Sequence, residues 1–341
     1  MQENQIRQFK AALQNSKKAV IIPHKNPDGD AIGSCVGLQK YLATQNCEAV
    51  VIAPNAFPDF LNHVPESNEI LIFEYEDRNK IIELVQEADL VWTLDFNDLS
   101  RCGGLAPILE KYAKKFAMID HHTYPSNYAG ELTYSDVSMS STCQMVYHFI
   151  EMMEDLPLID KDMASCIYTG ILTDTGSFRY RSTTSTTHRI IAHLIDIGVD
   201  NSQIHAQIYD TNSYDRLRLK ALAINNLVIL KDFKTAYITL SQKELNIHSY
   251  KKGDTDGFVN MGLSIKGVEF AVLFTEDERE GIIKISFRSK GHFKVNEFAS
   301  AHFEGGGHQN ASGGRSLLSL NETVTKFKSL LPKYQQKILE S

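Results

Sequence analysis

The chain has 341 residues, more than one ordinary domain needs, and its 43% hydrophobic and 23% charged content excludes a disordered or fibrous protein. Lys and Arg number 35 against 42 Asp and Glu, a net charge of −7 that argues against long duplex nucleic acid as a partner. A short anionic substrate stays open, because local cations or metal ions can hold one without a basic surface.

The N-terminal MQENQIRQFKAALQNSKK reads as a polar amphipathic helix rather than a signal peptide, and no apolar run reaches the roughly 18 residues of a membrane span. Cys35, Cys47, Cys102, Cys143 and Cys166 form no CxxC pair, so neither a disulfide framework nor a structural zinc site is expected. The expectation is a soluble, cytoplasmic protein with no membrane partner.

From residue 18 the chain alternates β-rich runs with helical patterns. KAVIIP (18–23), EAVVIA (48–53), ILIF (70–73), DLVWTL (89–94) and KFAMID (115–120) read as strands, with AIGSCVGLQKYLATQ and RNKIIELVQEA as helices between them. Such alternation predicts βαβ units and a parallel sheet covered by helices on both faces. Residues 141–228 turn helical, ending in YDRLRLKALAINNLVIL, which reads as a connector. After Lys231 the strands FKTAYITL, VEFAVLFTE and GIIKISFRS return, followed by a helix, VNEFASAHF, and the cluster EGGGHQNASGG. The expected domains are 1–210, a connector over 211–230, and a smaller α/β domain with a mixed sheet over 231–341.

Acids and imidazoles recur where predicted strands end. His24, Asp28 and Asp30 follow the first, Asp95 ends DLVWTL, and Asp120, His121 and His122 end KFAMID. Residues just past the carboxyl ends of parallel strands line a common crevice. With no cysteine among them, these groups suit Mn²⁺ or Mg²⁺ better than structural zinc. Simple structural roles compete: Asp30 could merely cap the helix it precedes, and a lone strand-end histidine is more often structural than a ligand. Capping explains an aspartate but not paired histidines. If His121 is a ligand, Asp120 can orient a neighbouring ring while His122 faces the substrate.

HKNPDGDAIGS, the Asp-His-His triplet at 120–122, TGILTDTGSFRY (169–180) and EGGGHQNASGG (304–314) together resemble the DHH phosphoesterase family. The likeness runs from about residue 18 to 315. It is closest to the branch with a DHH-associated C-terminal domain, which degrades very short oligonucleotides and, in many members, 3′-phosphoadenosine 5′-phosphate. That resemblance implies two divalent ions, commonly Mn²⁺: His24 and Asp28 on one, Asp30, His121 and Asp174 on the other, and Asp95 bridging them. It implies that His122 touches the scissile phosphate or protonates the leaving oxygen. In the C-terminal domain it implies that Arg288, Gly305, Gly306, Gly307 and His308 bind substrate, with the active site in the cleft between domains. Read from residue type alone, the three glycines are an ordinary helix stop and loop. Gly29 is expected to permit the tight bend between Asp28 and Asp30.

Two places depart from the family pattern. Gln144 stands where many relatives carry an acid, and Phe96-Asn97 follow Asp95 where smaller residues are frequent. Neither is an expected ligand, so both bear on substrate choice. Arg179, Phe178 and Tyr180 could contact substrate or belong to the core. Competing functions are a cyclic or linear dinucleotide phosphodiesterase, an exopolyphosphatase or pyrophosphatase, and a non-catalytic nucleotide-binding module. Retention of all six expected ligands argues against the last. The short-substrate reading is compatible with a homodimer.

Overall fold

A computed structural model describes residues 1–251 and 253–340. It divides into two compact units, Met1–Thr211 and the chain from Asn212 onward. The first unit begins α1 (Glu3–Asn15), β1 (Lys18–Pro23), α2 (Gly29–Thr44), β2 (Glu48–Ala53) and β3 (Leu71–Ile72). It continues α3 (Arg78–Glu87), β4 (Leu90–Leu94), α4 (Ala106–Tyr112), β5 (Phe116–Asp120) and β6 (Thr133–Ser135). Four helices close it: α5 (Thr142–Met152), α6 (Lys161–Asp174), α7 (Ser185–Ile197) and α8 (Asn201–Tyr209).

The strands form one parallel sheet in the order β3-β2-β1-β4-β5-β6. Alternate residues of a strand face opposite sides, and both sides are apolar here. Ile21 and Trp92 join Phe9 and Phe149 in one cluster, whereas Val20, Ile22 and Val91 join Ile81 and Leu109 in another. Burial on both faces is why β1, β4 and β5 read as nearly continuous apolar runs. Strand order reverses between β1 and β4, which places a crevice at their carboxyl ends.

Helix α2 lies unusually close to α6. A Cβ on Gly33 would come 2.5 Å from the Cys166 carbonyl oxygen, and one on Gly29 would come 2.5 Å from Thr173 Oγ1. Gly29 is the first residue of α2, so its missing side chain serves this helix contact rather than the bend expected from the sequence.

The second unit contains α9 (Tyr214–Asn225), β7 (Val228–Leu230), β8 (Thr235–Leu240), α10 (Gln242–Ile247), α11 (Val259–Leu263), β9 (Phe270–Asp277) and β10 (Ile282–Ser289). It ends with α12 (Val295–His302), β11 (Gly306–His308), β12 (Ala311–Ser316) and α13 (Leu320–Leu339). Its mixed sheet runs β11-β12-β10-β9-β8-β7, with β8 and β9 parallel and the other neighbours antiparallel. Phe270, Phe287, Phe298 and Phe327 pack on one face, and Leu219, Ile238, Val259 and Leu273 on the other.

Three expectations change in detail. The helical reading through LVIL stops at Asn225, and Val228–Leu230 becomes the edge strand β7, as its β-branched residues favour. ILIF shrinks to the two-residue β3. The glycine cluster is a hairpin of β11 and β12 rather than a loop after a helix.

Candidate metal centre and substrate-binding residues

β1, β4 and β5 deliver His24, Asp95 and the Asp120–His122 triplet to the carboxyl edge of the sheet. The first turn of α2 delivers Asp30, and the last residue of α6 is Asp174. Asp28, not Asp30, caps α2: its Oδ1 accepts from the backbone N–H groups of Asp30 and Ala31 at 3.0 and 3.1 Å. Asp30 is fully buried and uses its carboxylate elsewhere, accepting from the N–H groups of Thr142 (2.6 Å) and Cys143 (2.8 Å) at the start of α5. A helix N-terminus is a natural seat for such a charge.

The six expected ligands meet in two groups, within which one donor atom from each residue lies within 4.8 Å of the others: His24, Asp28 and Asp95, and Asp30, His121 and Asp174. His24 Nε2 lies 3.3 Å from Asp95 Oδ2 and 4.0 Å from Asp28 Oδ1. His121 Nε2 lies 3.5 Å from Asp95 Oδ1, 3.6 Å from Asp174 Oδ2 and 3.9 Å from Asp30 Oδ2. Asp95 therefore turns one oxygen to each histidine. It holds φ at +65°, in the left-handed region that aspartate enters more readily than most residues, while its N–H still donates to the Ile119 carbonyl of β5.

The donor chemistry tests the fit to a cation. His24 Nδ1 donates to the Lys25 carbonyl at 2.9 Å and His121 Nδ1 to the Met139 carbonyl at 3.3 Å. Each Nε2 then faces carboxylate oxygens, which only accept. Two sets of lone pairs turned on each other require a proton or a metal ion between them. Without a metal, protons fill that role. Burial disfavours the charged form of His24, but Asp95 and Asp28 outweigh it and raise its pKa to about 9. His121 is also raised to about 9, by Asp174, Asp95 and Asp30 against burial. Burial and the charge of Asp95 push Asp30 up to about 7, and burial pushes Asp174 well up too. Asp95 moves the other way, its burial outweighed by His24 and the two following histidines. Atoms sharing an ion at roughly 2.1 Å lie about 3 to 4 Å apart, which is the spacing found here, so the residues fit divalent cations.

His122 is placed differently. Its Nδ1 donates to Asp120 Oδ1 at 2.7 Å, and its backbone N–H to Asp120 Oδ2 at 3.0 Å. Buried Asp120 thus fixes the ring of His122, whereas Asp95 Oδ1 lies farther from the same nitrogen, at 3.7 Å.

Two contributors escaped the sequence reading. Thr142, at the start of α5, donates its hydroxyl to Asp95 Oδ1 at 2.9 Å. Asn97 donates through Nδ2 to the carbonyls of His122 and Thr123, both at 3.0 Å. The run Ser-Ser-Thr-Cys at 140–143 signals a helix start, and Ser141 is indeed the cap, but nothing local shows that the next amides reach a distant carboxylate. Gln144 sits behind the centre, buried, accepting from Ser140 and Thr187 hydroxyls at 2.5 and 3.0 Å. Phe178 is half-buried against Tyr168 and His188, which favours its structural reading.

In the second unit, Arg288 on β10 pairs across β12 with Ala311, and Ala311 pairs with His308 on β11. Directly paired residues of a sheet share a face, so Arg288 and His308 project to the same side two strands apart, about 10 Å. Asn310 ties this corner together, donating to Ser289 Oγ at 2.8 Å and to the Gly291 carbonyl at 3.2 Å. Gly306 and Gly307 lie in β11, exposed, with Gly305 just before it.

Comparison with known proteins agrees with this architecture. The profile of the DHH family N-terminal domain matches residues 18–171, and that of the DHHA1 domain matches 236–335. The chain is 32% identical over 314 residues to the probable bifunctional oligoribonuclease and PAP phosphatase NrnA of Streptococcus mutans, spanning 92% of this chain and 94% of that relative. It is 32% identical over 294 residues to the bifunctional oligoribonuclease and PAP phosphatase NrnA of Thermus thermophilus, spanning 86% and 82%. Among solved structures, an exopolyphosphatase-related protein from Bacteroides fragilis superposes with a TM-score of 0.95 at 40% identity, over 99% of this chain and 98% of that one. Both units thus find their counterparts in the same order along full-length relatives, and the chain belongs to the DHH family, with a DHHA1 domain following its N-terminal domain.

Proposed function

We propose that the chain is a phosphoesterase that hydrolyses short oligoribonucleotides to mononucleotides and also removes a phosphate from 3′-phosphoadenosine 5′-phosphate, using two divalent ions, Mn²⁺ by preference. The observation that carries this reading is the pair of three-residue groups joined by the two oxygens of Asp95. In this reading His24 and Asp28 hold one ion, Asp30, His121 and Asp174 the other, and Asp95 spans them. Such ions, when bound, supply Lewis acidity toward the phosphoryl oxygens and activate water for attack.

The chain's own residues do the rest. Asp120 holds the His122 ring through Nδ1, so Nε2 is the nitrogen assigned to the scissile phosphate or the leaving oxygen. The start of α5 holds Asp30, and Thr142 holds Asp95, so two buried carboxylates keep their orientation without substrate. In the second unit, Arg288, Gly305, Gly306, Gly307 and His308 are assigned to the substrate; the guanidinium suits two-pronged contact with phosphate, and exposed glycine backbone allows close approach. Residues 1–210 would then be catalytic and 231–341 substrate-binding, with 211–230 connecting them. A cytoplasmic location is supported by five cysteines that are all buried and unpaired. Among the described residues no helix is long and apolar enough to cross a membrane.

The test is a time course on labelled RNAs from dinucleotides to about twenty nucleotides, beside 3′-phosphoadenosine 5′-phosphate, cyclic dinucleotides and polyphosphate, with Mn²⁺ and with chelator. Preference for the shortest RNAs, abolished by chelator and by Asp95→Ala, is expected. Hydrolysis of polyphosphate or cyclic dinucleotides alone refutes the substrate assignment, and an unaffected rate in Asp95→Ala refutes the shared-ligand assignment.

A further inference from the structure

The segment after His122 has a feature that the ligand set does not use. Tyr124 is 91% exposed and holds φ at +61°, and among the described residues no hydrogen bond or ring partner is recorded for its side chain. A single exposed aromatic is ordinary. A bulky residue in the left-handed region is not, and it persists only where its surroundings impose it.

Asn97 imposes it. This buried residue, two positions after Asp95, donates to the carbonyls of His122 and Thr123 at 3.0 Å each. Its own carbonyl accepts from Ser126 N–H at 3.0 Å and Ser126 Oγ at 2.7 Å. Both flanks of Tyr124 are therefore tied to one side chain and its backbone, and Pro125 further restricts the segment. The ring stands in solvent on a backbone of fixed shape, its Cα within about 7.6 Å of that of His122 by chain geometry. The rings beside Asp174 are engaged differently: Phe178 packs against Tyr168 and His188, and the ring of Tyr180 closes over Gly176.

We propose that Tyr124 is a nucleobase platform, stacking on the base of the nucleotide adjacent to the scissile phosphodiester, and that Asn97 is the positioning residue that presents it. The inference rests on the oligoribonuclease reading and sharpens it, because it makes this site choose nucleotides over phosphate esters that carry no base. Stacking needs only the face of a base, so the platform favours no particular sequence. It also assigns a use to Asn97, one of the two places where this chain departs from the family pattern.

The experiment measures KM for 5′-phosphorylated diadenylate and for its abasic analogue, and takes the abasic value divided by the diadenylate value as the discrimination ratio. Tyr124→Ala should lower that ratio about tenfold and Tyr124→Trp should retain it. Asn97→Ala should lower it as well, and adding Tyr124→Ala should then change it little, since both act on one contact. Binding without turnover gives a second reading. The chain's single tryptophan, Trp92, is fully buried, so the added emission of Y124W reports the platform, and diadenylate should quench it under chelator. Unchanged discrimination in Tyr124→Ala, or loss of self-association in its place, overturns the platform while leaving the functional reading intact. A wild type that fails to hydrolyse intact diadenylate overturns both.

Discussion

Thr142→Val isolates one contact in the centre. Thr142 is fully buried, and two of its groups face different carboxylates: the hydroxyl donates to Asp95 Oδ1 at 2.9 Å, and the backbone N–H to Asp30 Oδ2 at 2.6 Å. Valine preserves shape and backbone, so Asp30 keeps its partner and only the hydroxyl is lost. Because Asp95 is held ionised by the surrounding imidazoles, the lost hydrogen bond is charge-assisted and worth about 1.5–3 kcal/mol. Partners that orient ligands in this way typically contribute about 10–100-fold to metal affinity. Titration calorimetry with Mn²⁺ should therefore show an affinity at least about tenfold weaker, while urea unfolding of the chelated variant shows a loss of about 1–3 kcal/mol. Thr142→Ser, which restores the hydroxyl, should recover most of the affinity. Wild-type affinity in a folded Thr142→Val protein would refute the role given to this hydroxyl.

Two further outcomes follow from packing and charge. Gly33→Ala places a methyl 2.5 Å from the Cys166 carbonyl, an overpacking cost of about 1–3 kcal/mol against about 1 kcal/mol of better helix propensity. Lower stability and weaker Mn²⁺ binding are expected together, because α2 carries Asp30 and α6 carries Asp174; unchanged values for both would refute the close-packing argument. The metal-free protein should also lose stability as pH rises. Burial disfavours the charged forms of His24 and His121, but their carboxylate neighbours raise both to about 9, above the roughly 6.5 of an unfolded histidine. Their contribution is full below about pH 6.5 and lost as pH climbs through 9. Thermal unfolding in chelator should show this fall, metal-loaded protein should resist it, and a chelated profile that rises over this range would refute the assignment.

Much of the first unit is legible because its strands are buried on both faces and therefore continuous in β-rich residues. KAVIIP, DLVWTL and KFAMID each end where a polar group begins, and that boundary names His24, Asp95 and the Asp120–His122 triplet. The short elements are harder. β12 is Ala-Ser-Gly-Gly-Arg-Ser, with no β-branched residue, and it is a strand because β10 and β11 pair with it on either side. Asp174 lies at the end of a helix where an acid has no local meaning, and only the family resemblance singled it out. The left-handed backbone of Asp95 is equally silent, since aspartate tolerates that region and no glycine marks it. Thr142 and Asn97 act on residues far away in sequence, so their roles exist only in the folded chain.

Those long-range contacts explain how one small volume holds so many acids. The close approach of α2 and α6 brings Asp30 toward Asp174, and the start of α5 supplies N–H groups to Asp30 and a hydroxyl to Asp95. Backbone dipoles offset part of the charge but not all of it, which is why Asp30 is raised by burial and by Asp95, and Asp174 by burial and by Asp30. A centre that cannot keep all its carboxylates ionised alone has a standing affinity for cations, and each ion bound returns stability to the fold that assembled it. Gln144 and Asn97 lie outside that set of contacts. Gln144 answers hydroxyls behind the ligands, and Asn97 shapes the segment beside His122. Neither residue belongs to the six imidazole and carboxylate groups that meet at the sheet edge.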